Sequence, residues 1–146
     1  MSGIIVGVDG SGHSQRALEC AMREAAIRQV PLTVITVSEA IRGYYTSMAV
    51  FPDDTARTEE ARQLAQAETD KVLAGLDEPR PASVTVKAVH GFPVEELIDA
   101  GKDADMIVVG SRGAGGFTRL LMGSVAGQVV QHAYCPVLVV PSAERA

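Results

Sequence analysis

Residues 110–124 read GSRGAGGFTRLLMGS. Just before them stands Met106-Ile107-Val108-Val109, a short apolar run of the kind that forms a strand buried on both faces of a parallel sheet. Just after them, Val125, Ala126, Val129, Val130 and Ala133 recur at helical spacing. The glycine-rich stretch therefore joins the C-terminal end of a strand to the N-terminus of a helix. A helix start offers N–H groups without intrahelical partners and the positive end of the macrodipole, which together suit a phosphate. Gly110, Gly113, Gly115 and Gly116 are expected to give the backbone positive φ and close approach to a ligand. Ser124 is expected to be the helix N-cap, without a capping box, because Gly127 occupies the position three residues on. A capping hydroxyl and a phosphate-binding hydroxyl occupy the same place, so both roles are open to Ser124. Val125 and Ala126 would add backbone N–H donors.

The spacing matches neither common nucleotide loop. A Walker loop needs Gly-Lys-Ser/Thr, but the lysines of this chain are Lys71, Lys87 and Lys102. The dinucleotide fingerprint fails at Thr118, where a third glycine would belong. What the stretch contains is Gly110, Gly113, Gly123 and Ser124, a Gly-x2-Gly-x9-Gly-Ser pattern.

Outward from this stretch, apolar strand-like runs alternate with helical patterns. Ile4–Val8, Leu32–Val37, Val84–Val89, Met106–Val109 and Val137–Val140 read as strands. Between them lie four helical patterns. The first carries an apolar stripe of Ala17, Leu18, Ala21, Met22 and Ala25, a cap at Ser11 or Ser14, and an i,i+4 pair of Glu24 and Arg28. The second spans Thr55–Leu76, with Ala61, Leu64, Ala65, Val72 and Leu76 assigned to one face and Pro79 and Pro81 beyond it. The third opens at Pro93, turns Val94, Leu97 and Ile98 inward and stops at Gly101. The alternation predicts an α/β fold: a single doubly wound, Rossmann-like domain over residues 1–146, with a five-stranded parallel sheet and four helices on two faces. The polar–apolar alternation of Val84–Val89 places that strand near a sheet edge. Ser38–Asp53 shows no clear periodicity and carries Tyr44, Tyr45, Met48 and Phe51; it reads as a loop stitched to the core by those side chains, or as a flap beside a ligand or partner.

Composition narrows the function. The chain has 146 residues, 47% of them apolar and 21% charged, with net charge −5 and no basic run, which argues against nucleic acid or an anionic membrane as partner. A polyanionic ligand would then be held by backbone donors, a helix dipole and a metal ion. No apolar run reaches the ~20 residues of a membrane span, and no basic segment precedes the first strand, so neither a span nor a signal peptide is expected. Cys20 and Cys135 have no metal-ligand spacing and read as two partly buried thiols in a reducing compartment. His13, His90 and His132 share no ligand spacing.

The segment ADMIVVGSRGAGGFTRLLMGSVAGQVVQHAYCPVLVV, residues 104–140, resembles the C-terminal signature of the universal stress protein family, and IIVGVDGSGHSQRALECA, residues 4–21, resembles its N-terminal signature. The Gly110, Gly113, Gly123, Ser124 set is similar to the motif that marks the family's ATP-binding branch. The resemblance implies strand order 3-2-1-4-5, with Asp9 after the first strand and Gly110 after the fourth converging on one cleft. It implies ATP with Mg²⁺ held through the phosphates by Gly110, Arg112, Gly113, Gly123, Ser124 and Val125. Arg112 and Ala114 depart from the His and Arg that family members often carry there. Asp9 reads either as a turn carboxylate or, by the resemblance, as a nucleoside contact; Val37, at the end of the second strand, would present its backbone to adenine.

These readings lead to a cytoplasmic, ATP-binding regulatory protein that holds nucleotide rather than turning it over. A homodimer through Val137–Val140 is expected, with an unidentified protein partner reading the nucleotide state. The rival readings are a slow ATPase and a nucleotide-free dimeric interaction protein. A nucleotidyl-transfer relative would show HxGH or SGGxDS at the first loop, whereas this chain has Asp9-Gly10-Ser11-Gly12-His13.

Overall fold

The structure is a computed structural model and describes residues 2–39, 54–112 and 123–141. The strands are β1 (Ile4–Val8), β2 (Pro31–Glu39), β3 (Ser83–Gly91), β4 (Met106–Gly110) and β5 (Val137–Val140); the helices are α1 (Gly12–Arg28), α2 (Asp54–Ala74), α3 (Pro93–Ala100) and α4 (Ser124–His132). All strand pairings are parallel and the order is β3-β2-β1-β4-β5. The register sets Ile4 beside both Leu32 and Met106, and Ile107 beside Val137. The expected doubly wound sheet and its order are what the chain forms.

Side-chain alternation along the strands feeds two cores. Ile4, Val6 and Val8 meet Ala17, Leu18, Ala21, Met22 and Ala25 of α1 and Ala65 of α2. Ile5, Ile107 and Val109 turn the other way, onto Leu97 of α3 and Ala126 and Val129 of α4. The α1 stripe is fully buried, as its period requires. Ser11 caps α1 by accepting from the Ser14 N–H, and Glu24 pairs with Arg28 at 3.3 Å. β3 is an edge strand with alternating exposure, as its polar–apolar pattern indicates.

Several local expectations are corrected. β2 runs two residues past Val37, so Val37 lies within the strand, and Ser38 and Glu39 belong to it. The remainder of the Ser38–Asp53 segment, residues 40–53, falls outside the described residues. Helix α2 ends at Ala74 rather than Leu76. Its buried face is Ala65 and Thr69, whose hydroxyl donates to the Ala65 carbonyl at 2.7 Å, with Val72 half-buried beside them. Leu64, assigned to that face, is instead 62% exposed. Gly101 ends α3 without a left-handed cap: its φ is −81° and the chain continues into a 3-10 turn, Gly101–Asp103. Its glycine identity has a steric cause, because a Cβ there would collide with the Ile107 side chain.

Candidate functional site

The strand order reverses between β1 and β4, and their C-terminal ends open a cleft of about 920 Å³. That size falls within the ~300–1,000 Å³ of small-molecule sites. Asp9, Val37, Gly110, Arg112, Gly123, Ser124 and Val125 all line it. Of the expected residues, Gly113, Gly115 and Gly116 lie outside the described residues. The two sequence signatures, about a hundred residues apart, thus meet in one place because β1 and β4 are neighbours.

One wall is backbone. Gly123 donates from its N–H to the Ser111 carbonyl at 2.6 Å, and Ser111 donates to the Val140 carbonyl at 2.8 Å, so β4, β5 and the start of α4 are tied together. Gly123, not Ser124, is the N-cap of α4; its φ of −61° and ψ of 158° are extended and it supplies no side-chain cap. Ser124 is the first helical residue, and it is exposed. The first intrahelical bond runs from the Gly127 N–H to the Gly123 carbonyl at 3.0 Å. The N–H groups of Ser124, Val125 and Ala126 therefore have no intrahelical partner and stand at the positive end of the helix, on the cleft. Gly110 does not adopt positive φ. Its need for glycine is proximity: a Cβ would come 3.0 Å from the His13 carbonyl oxygen and 3.1 Å from that of Arg112. The glycine lets the end of β4 lie against the first turn of α1. Among glycines of the described residues, positive φ belongs to Gly10, at 83°, in the turn after Asp9.

Arg112 adds charge to this wall. Its Nη2 is shut off from solvent and has no hydrogen-bond partner. Leaving a buried donor unpaired costs about 1–3 kcal/mol. Other atoms of Arg112 line the cleft, so its charge lies beside any ligand held there.

The floor and the facing wall differ. Asp9 is bound into its own turn, its Oδ1 accepting from the Ser11 N–H at 2.9 Å and the Ser11 hydroxyl at 2.6 Å, while the Ser14 hydroxyl accepts from the Asp9 N–H at 3.2 Å. The turn-carboxylate role is therefore realised, at a position that also faces the cleft. Glu68 of α2 lies within electrostatic reach of Asp9. Burial, and secondarily the Asp9 charge, raise its carboxyl pKa above the ordinary value, against a smaller opposing effect of Lys71. The facing wall is the first half of α2, which contributes Arg57, Glu60, Ala61 and Leu64. None of these was expected at the site. The available signal was the spacing 57, 60, 61, 64, a helical face distinct from the buried one.

The thiols of Cys20 and Cys135 are unpaired and half-buried, and burial raises the pKa of both. Among the described residues no group of three or more His, Cys, Asp or Glu is placed to hold a metal ion. No helix among them is long and apolar enough to cross a membrane.

A doubly wound parallel sheet with a cleft at its switch point, lined by a helix start and an arginine, defines an α/β domain of the doubly wound class. Residues 1–141 match the model of the universal stress protein family, and the chain belongs to that family. It is 34% identical over 142 residues to universal stress protein Rv2005c of Mycobacterium tuberculosis H37Rv, an alignment covering 96% of this chain and 48% of that protein. The chain thus spans about half the length of the curated relatives it matches. Among solved structures it resembles the universal stress protein UspA of Lactobacillus plantarum, with TM-score 0.78 and 25% identity over 95% of this chain and 97% of that one. It also resembles a universal stress protein in complex with cAMP, with TM-score 0.62 and 27% identity over 97% and 98% of the two chains. A third match is the Archaeoglobus fulgidus protein in complex with dAMP, with TM-score 0.61 and 26% identity over 95% and 97%.

Proposed function

We propose that this chain belongs to the ATP-binding branch of its family, holding ATP with Mg²⁺ as a regulatory switch. The observation that carries the reading is the α4 wall: three N–H groups without intrahelical partners, with the cationic side chain of Arg112 lining the same cleft. Donors of that kind match phosphate oxygens. The cAMP and dAMP complexes of two similar proteins support an adenine nucleotide in the cleft. Mg²⁺ would travel with the phosphates rather than with a protein ligand set. The two unpaired thiols suit a reducing compartment, and we place the protein in the cytoplasm.

ATP is held rather than turned over in this reading. Phosphoryl transfer requires a positioned nucleophile and cations on the developing charge. Asp9 is engaged in its turn on the nucleoside side, and the loop has no Walker lysine. Arg57 brings a second guanidinium to the cleft, from the wall facing Arg112. A single-turnover assay with labelled ATP should give a rate far below the ~1–100 s⁻¹ of kinases. Mass spectrometry should find adenine nucleotide copurifying with the protein. Hydrolysis at kinase-like rates, abolished by Gly123→Val, would replace the switch by an enzyme.

The switch would act through a homodimer built on β5, with an unidentified protein reading the state. β5 is a sheet edge, and α4 beside it leaves Val130 45% exposed. Val139→Lys should shift sedimentation toward monomer; because Val139 also packs against the α3–α4 core, circular dichroism checks that the variant is folded. A wild type that sediments as a monomer at micromolar concentration contradicts the dimer.

A further inference from the structure

Helix α2 turns two faces toward the rest of the molecule. Ala65, Thr69 and Val72 share the one that packs on the sheet. Arg57, Glu60, Ala61 and Leu64 recur at i, i+3, i+4 and i+7, which places them on a second face about 90° round the helix. That face lines the cleft. Leu64 is 62% exposed, a large hydrophobic side chain with no cover of its own in a molecule whose sheet-facing helix residues are well buried.

We infer that the cleft face of α2 is the lid wall for the nucleoside, with Leu64 and Ala61 covering the purine; this rests on the nucleotide reading above. Charge fixes which half of the ligand lies there. The free helix start and Arg112 stand on the α4 wall, where phosphates are stabilised. On α2 the opposite charges of Arg57 and Glu60 offset one another, and Asp9 on the floor repels phosphate, which leaves the uncharged nucleoside for the α2 side. Ala61 and Leu64 give that side its apolar surface. Helix α2 packs on β2 and β3, so it rises beside Val37 and opposite Gly110. Arg57 stands at the rim, seven residues and about 10 Å along the helix from Leu64. A base inserted against Leu64 would remove from water an apolar side chain that is otherwise wet, a gain available only in the bound state.

Leu64→Asn tests the inference, titrated with adenosine and with ATP beside the wild type. Because Leu64 is mostly exposed, the variant should fold, and circular dichroism checks this. Both ligands should weaken by the same factor, about five- to ten-fold, the loss of most of one leucine's burial. Leu64→Met should keep near wild-type affinity. Unchanged affinity for both ligands in Leu64→Asn, or a loss confined to ATP, overturns the lid wall while the nucleotide reading stands. A wild type that binds neither ligand overturns both.

Discussion

The end of β4 at Gly110 and the start of α4 at Gly123, Ser124 and Val125 meet the cleft largely with backbone, whereas the facing wall, α2, meets it with side chains. On the first, glycine at 110 permits close approach, Gly123 starts α4 without a side-chain cap, and Arg112 carries the charge. On the second, Glu60, Ala61 and Leu64 project from a helix whose fold is secured by a different face. On the proposed reading, the contrast would put the phosphates on one wall and the nucleoside on the other.

The largest effect should come from Gly123→Val. The backbone there is extended, so valine introduces no φ strain, but its side chain would occupy the phosphate space beside the α4 start. ATP affinity should fall by at least about ten-fold, ~1–2 kcal/mol, in calorimetric titration. Equal ATP affinity in variant and wild type would remove the phosphates from this wall.

Arg112→Gln should have a smaller and more selective effect. Glutamine keeps a neutral donor in place of a charged one, which loses about 1 kcal/mol, so ATP should weaken by roughly three- to ten-fold. Adenosine, lacking phosphate, should bind both proteins alike. An equal loss for the two ligands would put Arg112 on the nucleoside and dissolve the division between the walls.

The smallest effect concerns Glu68, near the floor of the cleft. Its folded-state pKa is raised, so the ionised form is penalised in the folded protein. The penalty is absent below the ordinary carboxylate pKa, sets in as pH rises through the raised value, and is complete above it. Glu68→Gln should therefore raise Tm slightly at neutral pH and leave it unchanged near ~pH 3.5, below the ordinary carboxylate range. A larger gain in acid than at neutrality would contradict the sign.

How far each wall was legible in the sequence follows from its construction. Glycine spacing between a strand and a helix has a one-dimensional signature, so Gly110, Gly123 and Ser124 stood out, as did the strand alternation that gives the α/β class. Strand order did not follow from alternation; it came from the family resemblance. The causes behind two glycines were also hidden. Gly110 answers to the His13 carbonyl and Gly101 to Ile107, contacts between residues far apart or turned by packing. The α2 wall was missed because an apolar residue at helical spacing reads as core. Leu64 and Ala65 are adjacent in sequence, yet one faces the cleft and the other the sheet, and only packing separates them. Ser124 was displaced by one position because Gly123, with no side chain to signal it, takes the cap.

Calorimetric titration of nucleotide-stripped protein with ATP in Mg²⁺, and separately with adenosine, tests the central claim most directly. The account predicts that both bind and that ATP binds more tightly, by the contribution of phosphates to the α4 wall. No binding of ATP, or adenosine bound as tightly as ATP, would contradict it.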